Sequence, residues 1–165
     1  MLDNRLRSRL KAQLTKFSVQ LSEGLPRPLQ KFVRQMLFGV QASQDVKLSN
    51  IARSLHEEVA LIKTENRLSR NLESAKLESH LSERLAVMGS RRVEANTVLC
   101  LDLSDVRKEY ARKMEYLALV RDGSTGDLHE GYWLCDIPAA GIHGSESVPL
   151  DQKLDSAEAK DFSSE

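Results

Sequence analysis

The sequence predicts an α+β protein, helical over its first half and sheet-forming from about residue 97. Two kinds of apolar spacing and one charge asymmetry carry that prediction. Early in the chain apolar residues recur every three or four positions, as on one side of a helix; later they run together or alternate, as in strands. The polar stretch GSRRVEANT, residues 89–97, separates the two regimes and sets expected regions of 1–92 and 93–165. Residues 1–92 hold 17 Lys and Arg against 9 Asp and Glu, whereas residues 93–165 hold 7 against 15. A net charge of zero thus conceals a basic half and an acidic half with equal and opposite surpluses. The basic half suits a polyanion such as DNA. The acidic half suits divalent cations or a plain solvated surface.

Each element follows from local spacing. Leu2, Leu6, Leu10, Leu14, Phe17 and Leu21 form one stripe of a helix over residues 1–22. Gly24, Pro26 and Pro28 break it. A second helix runs through QKFVRQMLFGVQA and buries Phe32, Val33, Met36, Leu37 and Val40. A third starts in KLSNIARSLHE with Ser49 as its cap and Ile51, Ala52 and Leu55 inward. Thr64 is the expected cap of a fourth, with Leu68 and Leu72 inward and Arg67 and Arg70 outward. A fifth covers Ala75 to Met88. TVLCLDL, MEYLALVR and YWLCDIPA then read as three strands, and DGSTGDLHEG joins the last two as a hairpin. Beyond Gly141 the chain is polar and shows no strong pattern.

Composition narrows the function classes. The 165 residues are 41% hydrophobic and 29% charged, values that suit a folded soluble chain. Aromatic residues are only 5%, so cores must come from Leu, Val, Ile and Ala. No apolar run approaches the roughly 18–20 residues that cross a bilayer, and the start of the chain lacks a signal-peptide pattern. No membrane partner is expected, and the cytoplasm is the expected compartment. Cys100 and Cys135 are isolated within apolar segments and read as reduced core residues. His56, His80, His129 and His143 are scattered, and no glycine-rich phosphate loop or nucleophile elbow is present.

Two stretches bear on function. LSNIARSLHEEVALIKTENRLSRNL reads as two short helices joined by a turn, the second carrying Lys63, Thr64, Asn66, Arg67, Arg70 and Asn71. Those side chains match what a helix presents to bases and phosphates in a major groove. The same pattern also reads as a solvated basic face, and the connection lacks a glycine. The second stretch is the strand ending in DLSD. Alternation turns Asp102 away from Leu101 and Leu103, while Asp105 lies just past the strand end. Arg107, Lys108, Arg112 and Lys113 follow, and read equally as a phosphate-holding group or as a charged loop.

The run LCLDLSDVRKEYARKMEYLALVRDGSTGDLHEGYWLCDIPAAG resembles the start of the catalytic domain of bacterial DDE transposases of the insertion-sequence kind. The preceding SNIARSL and KTENRLSRNL resemble the helical DNA-binding region of that group. The resemblance spans about residues 30–165. It implies a helical DNA-binding region, 1–92, followed by the opening three-stranded antiparallel sheet of a ribonuclease-H-like domain, 93–165. It also implies that Asp102 is the first carboxylate of a Mg²⁺-holding triad and that the partner is DNA at transposon ends, with a homo-oligomer as a further partner. The family's second Asp and its Glu come from later elements. Asp151, Asp155, Glu158, Asp161 and Glu165 read as solvated surface, so the chain is expected to bind DNA without a complete site for strand cleavage and transfer. A non-enzymatic DNA-binding regulator of a full-length transposase, or a helical interaction protein, are the alternatives.

Overall fold

The chain divides into two units, Met1–Arg84 and Leu85–Glu165. The computed structural model describes residues 2–108, 110, 111, 113–141 and 147–160, with side chains at Arg5 and from Ser8 onward. Among the described residues there are five helices, then a five-stranded antiparallel sheet, so the α+β class holds. No helix there is long and apolar enough to cross a membrane.

The first unit holds α1 (Leu2–Leu21), α2 (Arg27–Ser43), α3 (Leu48–Ser54), α4 (Leu61–Leu72) and the start of α5 (Leu77–Ser90). Pro26 stands at the N-cap of α2 and a proline occupies its first turn, where a missing N–H costs nothing and a fixed φ favours the helix. Leu21, Leu25, Phe32, Val33, Ile51, Ala52, Leu68 and Leu77 form the core, with Ile51 and Leu68 fully enclosed. Gly39 lets α2 and α3 meet. A Cβ there would collide with Ile51 Cγ2. Midway along α5, Arg84 donates to the Gln20 carbonyl and pairs with Glu23, tying the helix to the end of α1.

Two capping expectations are corrected. Helix α3 begins at Leu48, so Ser49 lies inside it. Asp45 supplies the local bonds instead, accepting from the Lys47 N–H at 2.9 Å and from Asn50 Nδ2. Those bonds, the Lys47 N–H first, hold the Asp45 carboxyl below its ordinary value. Helix α4 begins at Leu61, a full turn before its expected start. Thr64 is therefore an interior position and not a cap.

The second unit holds β1 (Thr97–Leu99), β2 (Asp102–Arg107), β3 (Ala118–Arg121), β4 (Leu128–Gly141) and β5 (Ser147–Asp155). The expected three strands become five. β1 and β2 lie in one register against β4, from Thr97 opposite Gly141 to Arg107 opposite Gly131. The Cys100 N–H to Pro138 carbonyl bond, 3.0 Å, bridges their gap. They are one lane, and the expected strand TVLCLDL is its first part. Gly131 pairs with both Arg107 and Ala118, and Trp133 with both Asp105 and Asp155. Hence β3 and β5 share the opposite edge of β4, and the five strands fill three lanes. β5 falls in the stretch expected to be patternless. Its ladder shifts between Ile137 and Pro138, where Pro138 faces Pro149 and two N–H donors are missing.

Ala118, Val120, Tyr132 and Ala139 are the buried apolar residues of the sheet. The Tyr132 hydroxyl donates to the Glu115 carbonyl at 2.6 Å. By contrast, Leu99, Leu101 and Leu103 project from one side of the outer lane, each more than half exposed. The expectation of two buried cysteines is corrected too. Both are free thiols, but Cys100 is exposed and Cys135 half-buried, because Cys100 lies in this uncovered lane.

The hairpin between β3 and β4 depends on Asp122. Its Oδ1 accepts from the Ser124 hydroxyl, the Ser124 N–H at 2.7 Å and the Thr125 N–H at 3.0 Å. These bonds, the Ser124 hydroxyl first, hold the carboxyl down to about 2. A depressed carboxylate stabilises the turn above the ordinary value of 3.8, and that contribution is lost as pH falls toward about 2. Asp122→Ala is expected to accelerate amide hydrogen exchange at Ser124 and Thr125 at neutral pH, leaving Leu134 and Cys135 unchanged. NMR exchange rates check it; equal exchange at the turn in both proteins would refute it.

Candidate functional site

Helix α4 has two sides. Lys63, Asn66 and Arg70 are exposed and follow i, i+3, i+7 spacing, so they share one outward stripe. Thr64 and Leu68 define the inward side, and both are buried. This corrects the expectation that all six polar residues of the helix face outward. Thr64 is only 2% exposed, and its hydroxyl donates to Glu57 at 2.8 Å. Arg67 is half-buried between the two sides. Its guanidinium donates to Gln35 Oε1 at 2.6 Å and Glu57 Oε2 at 2.7 Å. Asn71 donates to the Arg67 carbonyl at 2.8 Å, one turn back. The spacing of Lys63, Arg67 and Arg70 was compatible with one face, but the helix centres its buried side on Thr64 and Leu68, and Arg67 is drawn to it.

Glu57 organises this arrangement and was not singled out by the sequence. It lies in the connection between α3 and α4, residues 55–60. His56 beside it adopts a left-handed conformation, φ 47°, where a helix end often uses glycine. Gln35 of α2 donates to Glu57 Oε1 at 2.7 Å. Gln35, Glu57, Thr64 and Arg67 thus form a ring joining α2, the connection and α4. Burial raises the Glu57 carboxyl, but hydrogen bonds from Thr64, Gln35 and Arg67 outweigh it and hold the group below its ordinary value. The ring fixes α4 relative to α2 and α3, and so fixes which residues it shows outward.

The carboxylate strand keeps the expected alternation. Asp102 is exposed, on the same side of β2 as Ser104 and Val106 and opposite Leu103. Ser104 Oγ donates to Asp102 Oδ2 at 3.1 Å. The residue paired with Asp102 across the ladder is Asp136 of β4, whose buried Oδ1 has no hydrogen-bond partner among the described residues. Asp136 was not legible as a neighbour, because the spacing between strands does not encode their register. Asp105 lies within β2 and not past the strand end as expected; it is on the other side and accepts from the Gly123 N–H at 3.1 Å, a turn-holding role.

Of the basic residues here, Arg107 ends β2 and Lys108 follows it. Arg107 and Lys108 are successive, so they leave the strand on opposite sides. Lys108 lines an open cleft of about 500 Å³ with Val106, Tyr116, Tyr132 and Ser156. Lys113 is exposed, and Arg112 lies outside the described residues. Mg²⁺ favours oxygen donors, which Asp102 and Asp136 offer. A two-ion site needs more, and among the described residues no three His, Cys, Asp or Glu side chains gather for a metal. The donors gathered among the described residues do not make up a two-ion site.

Searches against protein-family models, curated proteins and solved structures found no match to this chain.

Proposed function

We propose that this chain carries the DNA-binding region and the opening catalytic-domain strands of a DDE transposase. Its helical region binds duplex DNA through α4, and Asp102 supplies the first of the family's three metal-holding carboxylates. The observation that carries this reading is the outward stripe Lys63, Asn66 and Arg70, held by the Glu57 ring on a helix that follows a short helix and a connection. The cationic surplus of residues 1–92 supports it, as does the DLSD run at residues 102–105. On this reading the chain binds DNA alone, and cuts it only where the remaining carboxylates of the triad are supplied.

The test is fluorescence anisotropy with labelled duplex DNA over a salt series. The wild type is expected to bind with a negative slope of log affinity against log salt. Lys63→Ala with Arg70→Ala is expected to make that slope shallower by about 1.8, since each phosphate contact contributes about 0.9. An unchanged slope would remove α4 from the interface. Nicking of supercoiled plasmid in Mg²⁺ addresses the chemistry. On this reading the chain alone does not nick; nicking by the chain would overturn the incomplete triad, and nicking that persists in Asp102→Asn would also remove Asp102 from the catalytic role.

A further inference from the structure

The cationic surplus of the helical region is not centred on α4. Helices α1 and α2 together carry eight Lys and Arg and a single acid, Asp3. Their apolar stripe is also incompletely covered. Leu10 is 52% exposed and Phe38 is 41% exposed. With Leu14 and Phe17 they line an open groove along α1 and α2. A smaller cleft continues it, with Lys11, Leu14, Arg34 and Phe38 on its walls. Among the described residues, Lys11 and Arg34 are the charged ones on these walls, and no acid lines either.

An apolar floor flanked by neutral polar residues and two cations, Lys11 and Arg34, sets two demands on an occupant. It must bury apolar side chains, and it must be negatively charged. Duplex DNA meets only the second, since its phosphates offer nothing to Leu10 or Phe38. A second copy of the same helices meets only the first, because like charges would face each other. An acidic amphipathic helix meets both, laying its apolar stripe into the groove and its carboxylates against these cations. We propose that the α1–α2 groove is a docking site for an acidic amphipathic helix of a partner protein. This surface is separate from the outward stripe of α4.

The experiment uses the full chain and a fluorescein-labelled helical peptide of about 18 residues, about five turns. It carries Leu at three- and four-residue spacing with Glu elsewhere; a second peptide keeps the Leu positions and replaces Glu with Lys. The acidic peptide is expected to bind saturably and the Lys peptide not to bind. Leu10→Ser and Phe38→Ser are each expected to weaken binding about tenfold, as for a truncated anchor. Both side chains are substantially exposed, so circular dichroism and thermal melting should be unchanged. Lys11→Glu with Arg34→Glu should weaken the acidic peptide and admit the Lys peptide. Four results would overturn the proposal: no binding of the acidic peptide, equal binding of both peptides, displacement of the acidic peptide by duplex DNA whose own binding needs Leu10, or self-association abolished by Leu10→Ser.

Discussion

Gly131→Ala is expected to destabilise the sheet unit by about 3 kcal/mol or more, the upper end of what overpacking costs. Gly131 sits where all three lanes meet, paired on one side with Arg107 and on the other with Ala118. A methyl group there would lie 2.5 Å from the Val106 carbonyl oxygen and 2.9 Å from Val120 Cγ2. Val120 is itself enclosed, and the carbonyl is backbone, so neither can swing aside without breaking the ladder. Gly123→Ala is the control. Its added methyl would meet nothing nearer than Asp105 Oδ1 at 3.9 Å, and its cost should stay within about 0.5 kcal/mol. The single tryptophan, Trp133, stands two residues away on β4, so its fluorescence reports unfolding of this unit in urea. Equal midpoints for the two variants would refute the crowding argument.

Glu57→Ala is expected to cost the helical unit about 2–4 kcal/mol. The change removes the acceptor for three donors at once. It leaves the Thr64 hydroxyl buried and the Arg67 guanidinium half-buried with only Gln35 beside it. Glu57→Gln keeps the shape and loses the charge, so it should fall between wild type and alanine. The pH dependence gives an independent check. The folded carboxyl titrates below its ordinary 4.5, so its contribution is complete above that value and fades as pH falls through the lower folded value. The gap between wild type and Glu57→Gln, followed by helical circular dichroism in urea, should therefore narrow at acid pH. A gap that stays constant down to pH values well below 4.5 would show that the charge of Glu57 contributes nothing.

These two positions show what the sequence made legible. The five helices were readable because their apolar spacing is dense, and local spacing is what a helix obeys. Strand content was readable from Val98 to Leu103 and from Tyr132 to Ala139 for the same reason. β5 was not, because Asp151, Gln152 and Lys153 interrupt its alternation, and its place depends on pairing with β4. The site was legible only in its exposed members. Lys63, Asn66 and Arg70 lie where spacing puts them, as does Asp102. Arg67 and Thr64 were misplaced because their orientation is set by Glu57 and Gln35, the latter 32 positions from Arg67 in the chain. Nothing in a local window encodes that bond. The pairing of Asp102 with Asp136 was hidden likewise, since only the folded ladder sets the register.

The central position of β4 has a consequence for synthesis on the ribosome. Residues 97–107 emerge before β4, yet every ladder partner they use lies between Gly131 and Gly141. For as long as translation takes to cross that interval, Leu99, Leu101 and Leu103 are presented on a strand with nothing to pair with. The short β3–β4 hairpin can close as soon as it is made, and the earlier lane must then add to it from behind. A nascent chain arrested before residue 128 should therefore be a strong client for cellular holdases, and one arrested well beyond residue 141 a weak one.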